Sequence, residues 1–240
     1  MVRGMRFISI LGAAVVLSAA AVVGCSHEQE LTPASADNAE KGAAQQAIVE
    51  RAAAAFARMK QNPRFSTMTP YLEKARAVMI FPRVVKASLI FGGEGGNGVM
   101  VARAPDGSWS DPAFYSLGAP SVGLQVGYQE ATVVLFFMEQ QAVEQALHSE
   151  FTLGTSSSAA LGEVGERGQS DAEVMSKPIY QLVEAGGAFA GVSLNGYVIG
   201  SRNKHNSAYY GAAATPRSIL IERSLHRADA DVLKRALSAK

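Results

Sequence analysis

The segment Gly93-Glu94-Gly95-Gly96-Asn97-Gly98 is the part of the sequence that indicates the fold most strongly. Apolar runs flank it at Ala87–Gly92 and Val99–Ala104. Glycine adopts positive φ without penalty, so a glycine-rich segment between two apolar runs predicts a β-hairpin with this segment as its loop. A phosphate-binding interpretation is weaker, because the segment lacks the Gly-Lys-Ser/Thr of a P-loop and a strand, not a helix, is predicted after it.

The rest of the chain alternates between strand and helix patterns. Further strands are predicted at Ala77–Phe81, Ala113–Leu117, Val122–Tyr128, Thr132–Met138, Ile179–Glu184, Ala188–Leu194, Tyr197–Ser201 and Ser218–Glu222. Helices are predicted at Asp37–Met59, Met68–Arg76, Glu139–Phe151 and Leu225–Ala239. No change of composition divides residues 37–240. The simplest interpretation is one α+β domain with an antiparallel-rich twisted sheet and N-terminal, central and C-terminal helices.

The first 24 residues have the layout of a secretory leader. Arg3 and Arg6 precede an apolar segment that runs to Val23. The stretch Val22-Val23-Gly24-Cys25 resembles a bacterial lipobox, which implies cleavage before Cys25, a lipid on its thiol and acylation (palmitate) of the new N-terminus. Two alternatives are an ordinary signal peptide with a chance cysteine and a transmembrane anchor, for which the apolar run is near the short limit.

The lipobox interpretation divides the chain into three parts. Residues 1–24 would be the lipoprotein signal peptide, 25–36 a lipidated tether and 37–240 the globular domain. Ser26, rather than aspartate, follows the cysteine, which by analogy favours the outer membrane of a bacterial envelope. Cys25 is the single cysteine, and once it is modified no thiol remains, which excludes disulfides, zinc–thiolate sites and cysteine nucleophiles.

Charge is distributed unevenly along the chain. Residues 41–90 hold nine Lys or Arg but only two acids, whereas the whole chain has a net charge of +1. Such a basic segment predicts a negatively charged partner, and for an exported lipoprotein we expect anionic lipid rather than nucleic acid. The alternative is a solvated helix face. The candidate lipid-binding residues are Lys74, Arg76, Arg83 and Lys86, followed by Arg51, Arg58 and Lys60.

Signals for catalysis are weak. The four histidines, His27, His148, His205 and His226, show no metal-ligand spacing. The hydroxyl run at residues 155–158 has no Gly-x-Ser-x-Gly elbow. We therefore expect no enzyme activity, no cofactor and no metal, and an enzyme would need residues that only the fold brings together. The aromatic residues Trp109, Phe114 and Tyr115 are predicted to lie in the core rather than at a membrane interface.

A set of short motifs in fixed order resembles the SYLF domain, also called the Ysc84-like family. The motifs are Ala77-Val-Met-Ile-Phe-Pro82, Phe91-Gly-Gly93, Gly96-Asn-Gly-Val99, Trp109-Ser-Asp-Pro-Ala-Phe114, Ser121-Val-Gly-Leu-Gln-Val-Gly127, Ala188-Phe-Ala-Gly-Val-Ser-Leu-Asn-Gly196 and Asn206-x-x-Tyr-Tyr-Gly211. The resemblance covers roughly residues 65–240 and implies lipid binding. Eukaryotic members of the family bind phosphoinositides through a basic, amphipathic N-terminal part, to which residues 41–90 correspond.

Together these features predict a non-enzymatic lipoprotein of the outer membrane whose domain binds anionic phospholipid or the phosphates of lipopolysaccharide. An alternative is a lipidated scaffold that binds an envelope or host protein and has no lipid affinity of its own.

Overall fold

The computed structural model describes residues 33–88, 91–122, 127–148, 150–164, 176–185, 188–189, 193–211 and 213–238. The helices are α1 (Pro33–Gln61), α2 (Thr69–Lys74), α3 (Gln140–Ala146), α4 (Asn203–Tyr210), α5 (Pro216–Leu220) and α6 (Asp231–Ser238). The strands are β1 (Ala77–Ser88), β2 (Phe91–Ala102), β3 (Ala113–Val122), β4 (Gly127–Phe137), β5 (Glu150–Thr152), β6 (Leu161–Glu163), β7 (Ile179–Ala185), β8 (Ala188–Phe189) and β9 (Val198–Ser201). The proposed leader, Cys25 and most of the proposed tether lie outside the described residues.

All described strands join one sheet in the order β5-β9-β3-β2-β1-β4-β7-β6, and β8 pairs with β7. Every pairing is antiparallel except that of β6 with β7. This architecture confirms the predicted α+β class and the antiparallel-rich sheet. Within the described ranges, no helix combines the length and the hydropathy that a membrane-spanning segment needs.

The sheet buries side chains on both faces, because successive residues of a strand point to opposite sides. On the α1 face, Val78, Ile80 and Phe136 pack in one core with Phe56 and other residues of α1, α2, α4 and α6. On the opposite α3 face, the alternate strand residues pack in a second core with residues of α3 and α5. Trp109, Phe114 and Tyr115 are buried, which confirms the prediction that they are core residues.

The predicted hairpin loop at Gly93–Gly98 is wrong. This segment lies inside β2 and pairs with β1 on one side and β3 on the other. Its glycines serve close packing: a Cβ on Gly98 would lie 2.3 Å from the carbonyl oxygen of Ile80 and 2.5 Å from the ring of Phe81. The prediction that Pro82 ends the first strand is also wrong. A register shift between Phe81 and Val84 accommodates the proline, and β1 continues to Ser88.

Several other boundaries differ from the predictions. Helix α1 begins before Asp37, so Asp37 is not its N-cap. Val122 and Gly127 belong to two strands rather than one, and residues 123–126 between them lie outside the described part. The predicted strand at Ser218–Glu222 falls largely in α5, because Thr215 caps that helix and Pro216 begins it.

The chain between α3 and the C-terminus also corrects three predicted elements. Helix α3 is shorter than predicted, and Phe151 lies in β5. The predicted strands at Ala188–Leu194 and Tyr197–Ser201 do not pair with each other, because β9 pairs with β3 and β5 while β8 pairs with β7. The last helix starts at Asp231 rather than at Leu225, after a short 3-10 turn.

Candidate functional site

A recess of about 430 Å³ lies between the N-terminal half of α1 and the glycine-rich part of β2. Gly95 and Gly96 are among its lining residues. A Cβ on Gly95 would lie 2.9 Å from the carbonyl oxygen of Leu117, and one on Gly96 would clash with that of Arg83, so both glycines allow the neighbouring strands to pack closely. The polar side chains that line it are those of Gln45, Arg51, Arg83, Asn97 and His205. We call this space the α1 recess.

Two arginines, Arg51 and Arg83, line the α1 recess, and a third, Arg202, contacts two of its lining residues. Arg51 is exposed on α1 and forms no ion pair within the described part of the chain. Arg83 lies on β1 and donates to Glu130 Oε1 through Nε at 2.8 Å and Nη2 at 2.6 Å. Arg202 precedes α4 and donates through Nη1 to Asn97 Oδ1 at 3.0 Å. Glu130 neutralises part of this charge, and the recess keeps an excess of positive charge.

His205 adds a titratable group to the same recess. Its Nε2 lies 3.4 Å from Nη2 of Arg202. Burial, and then the positive charge of Arg202, lower the pKa of His205 below its ordinary value. The imidazole is therefore neutral at pH 7 and becomes a further cation only in acid or beside a bound anion.

The structure does not bring all seven predicted cations to one surface. Arg51 and Arg83 share the α1 recess. Arg58 pairs with Glu184 at 2.9 Å. Lys86 pairs with Glu94 at 3.6 Å. This pair lies on the α3 face of β1, because Lys86 comes two residues after Val84 of the α3-face core, and residues two apart in a strand point to the same side.

Lys74 and Arg76 lie at the far end of β1 from Arg83. Both are exposed, and the strand between Ala77 and Arg83 separates them from Arg83 by about 20 Å.

Lys60 lines a second, larger recess of about 920 Å³ near the C-terminal end of α1. Burial lowers the pKa of Lys60. Arg103 is the other cation there, but it donates to the carbonyl oxygens of Ala75 and Leu72 and stacks 4.1 Å above the ring of Trp109. Glu73 also lines this space and disfavours an anion. We therefore regard the α1 recess as the candidate site.

Sequence reasoning missed two residues that line the recess, Gln45 and His205, and also Arg202, which contacts Asn97 and His205. Arg202 and His205 are remote in the chain from the basic segment 41–90, and pairing of β9 with β3 brings them to Asn97. The nearest signal was the motif that begins at Asn206, directly after them. Among the described residues, no group of histidines, cysteines or acids could hold a metal ion.

Comparison with known proteins gives one consistent result. Residues 118–240 match the model of a family described as Ysc84, Las17-binding protein actin regulator. Protein YSC84 of Saccharomyces cerevisiae is 32% identical over 177 residues, which cover 71% of this chain and 37% of that protein. LAS seventeen-binding protein 3 of the same species is 31% identical over 70% of this chain and 38% of its own length.

A vertebrate relative shows the same pattern. The human SH3 domain-containing YSC84-like protein 1 is 30% identical over 141 residues, which cover 58% of this chain and 41% of that protein. The chain thus spans less than half of the length of each of these relatives. Arg202 and His205 fall within the part that the family model matches, and Arg51 and Arg83 precede it.

Proposed function

This chain belongs to the Ysc84 family, also called SYLF, and from that premise we propose that its domain binds anionic lipid through the α1 recess. The observation that supports the proposal is that Arg51 and Arg83 line one concave site, while Arg202 donates to Asn97, another of its lining residues. Guanidinium groups match phosphate oxygens in geometry and charge. The backbone at Gly95 and Gly96 allows a headgroup to approach closely.

The proposal includes the membrane anchor. A lipid on Cys25 would hold the protein to the outer membrane of a bacterial envelope, and the domain would then contact phospholipid or lipopolysaccharide phosphate. The lipid on the thiol and the acyl group on the new N-terminus would together make this anchor stable, because one acyl chain alone binds a membrane only weakly. A cation near an anionic surface contributes about 1 kcal/mol, and added salt reduces that contribution. In this proposal the protein has no catalytic role.

Charge reversal at Arg51 tests the recess directly. Arg51→Glu should weaken binding of the unacylated domain (residues 26–240) to phosphatidylglycerol vesicles by roughly tenfold or more, because two units of charge change at the site. Arg64→Glu is the matched control, since Arg64 is exposed just beyond the opposite end of α1. Vesicle flotation measures both variants. Equal losses would show that only net charge matters and would refute the recess as the binding site.

Binding should also strengthen as the pH falls from 7.5 to about 5, below the ordinary histidine pKa of about 6.5. The pKa of His205 is lowered in the free domain, and a bound anion favours the imidazolium. Binding therefore takes up a proton, and affinity rises in acid.

Flotation at pH 7.5, 6.0 and 5.0 measures this effect against His205→Gln. The variant should lose most of the pH dependence while keeping its binding at pH 7.5. An unchanged pH profile in the variant would contradict the role of His205.

A second candidate function is protein binding. The description of the family model names Las17 binding and actin regulation, and these words concern the family members that they describe. For this chain they favour a scaffold that binds an envelope or host protein. Such a scaffold would show no affinity for anionic vesicles once the acyl chains are absent.

A further inference from the structure

Gln45 is a buried side chain of the α1 recess with an unsatisfied hydrogen-bonding group. The residue is 7% exposed, and its Oε1 accepts no hydrogen bond from the described part of the chain. Buried polar atoms in folded proteins nearly always have partners. Gln45 lies on α1 one turn before Ile48, and both residues line the recess. A ligand that supplies a donor would complete this site.

The other polar side chains of the recess offer a different chemistry. Arg51 and Arg83 line the recess and are donors only, and they attract the oxygens of an anion. A simple phosphate would meet the arginines and leave Gln45 without a donor. A ligand with a phosphate and a nearby donor would satisfy both parts of the site.

The donor is better supplied by a hydroxyl than by an ammonium. An ammonium group would lie in the same recess as Arg51 and Arg83, and like charges disfavour that arrangement. A hydroxyl donates to Oε1 without adding charge. The recess therefore selects against headgroups such as ethanolamine that place a cation next to the phosphate.

We propose that the α1 recess recognises a phosphodiester whose alcohol carries free hydroxyls, a phosphoglycerol lipid headgroup, with Gln45 accepting from a hydroxyl and the arginines holding the phosphate. This inference rests on the proposed function and names the headgroup class that the site prefers. Gln45 thereby acts as the residue that determines specificity, whereas the arginines provide affinity for any accessible phosphate.

Two soluble probes with the same charge separate these roles. Glycerophosphoglycerol carries hydroxyls, and dimethyl phosphate carries none. The mature chain from Cys25 onward, with its acyl chains in a nonionic detergent, is titrated with each probe by ³¹P NMR. We expect the wild-type protein to bind glycerophosphoglycerol about tenfold more tightly than dimethyl phosphate, since a well-formed neutral hydrogen bond in a buried site accounts for roughly that ratio.

Gln45→Met retains the length and helix propensity of the side chain and removes the acceptor. This variant should bind both probes equally, at the level of dimethyl phosphate on the wild-type protein. Arg51→Gln should lower the affinity for both probes and keep the ratio of the two affinities. Arg64→Gln should change neither affinity. Thermal unfolding of each variant identifies any loss of fold.

The outcomes distinguish this inference from the proposed function. Equal binding of the two probes by the wild-type protein overturns the role of Gln45 and leaves the anionic-lipid proposal standing. A preference that survives in Gln45→Met also overturns it. If neither probe binds while the domain still binds anionic vesicles, the recess is not the headgroup site. If the domain does not bind anionic vesicles, the proposed function itself is refuted.

Discussion

Gly98→Ala is expected to destabilise the domain by about 3 kcal/mol, at the upper end of the cost of overpacking a core. The added Cβ would lie 2.3 Å from the carbonyl oxygen of Ile80 and 2.5 and 2.9 Å from two ring atoms of Phe81. Phe81 is fully buried, and the bulge that begins beside it fixes the backbone of β1. Neither the Phe81 ring nor the Ile80 carbonyl can move away from the added Cβ unless β1 itself shifts.

Gly93→Ala is the matched control on the same strand. A Cβ there has no atom within 4 Å, and its backbone is not in the left-handed region. Alanine is favoured over glycine inside a strand by roughly 0.5–1 kcal/mol, so this variant should be neutral or slightly more stable. Chemical denaturation measures both free energies of unfolding. Similar values for the two variants would contradict the close packing of β2 against the bulge.

Asp111→Ala should also cost about 3 kcal/mol, because it removes a buried carboxylate that interacts with three groups at once. The carboxylate is buried and accepts from Arg227 N at 3.1 Å through Oδ1. Its Oδ2 lies 3.0 Å from His226 Nδ1 and 3.1 Å from Lys234 Nζ. One side chain thus ties the segment before α6, and α6 itself, to the loop before β3.

Asp231→Ala provides the comparison for this prediction. Asp231 pairs with the same Lys234 at 3.1 Å but is 42% exposed. Exposed pairs contribute at most about 1 kcal/mol. Equilibrium unfolding should therefore separate the two aspartates by about 2 kcal/mol. Equal effects would show that Asp111 acts only as a surface charge.

Local sequence patterns predict those strands in which apolar residues form a continuous run or alternate with polar ones. The sequence located the cores of β1, β3, β4 and β7 and the buried aromatic residues. The segment Gly93–Gly98 was assigned to a loop because glycine usually marks a turn. Here the requirement for glycine arises from a bulge in the neighbouring strand, which no local pattern in the segment reveals.

The candidate site was predicted only in part for a similar reason. Composition placed Arg51 and Arg83 in a basic segment, but it also included Arg58 and Lys86, whose charges are paired with Glu184 and Glu94. Partners for those cations come from other strands, and the register of the sheet determines them. Gln45 carries no charge and falls within an alanine-rich helix, so nothing in the sequence distinguished it.

The central claim is that the domain itself binds anionic lipid, independently of any acyl chain. Co-sedimentation of residues 26–240 with phosphatidylglycerol and phosphatidylcholine vesicles, at low and high salt, tests it most directly. We expect binding to the anionic vesicles alone, and we expect it to weaken strongly as salt screens the arginines. Absence of binding to both vesicles, or equal and salt-independent binding to both, would contradict the claim.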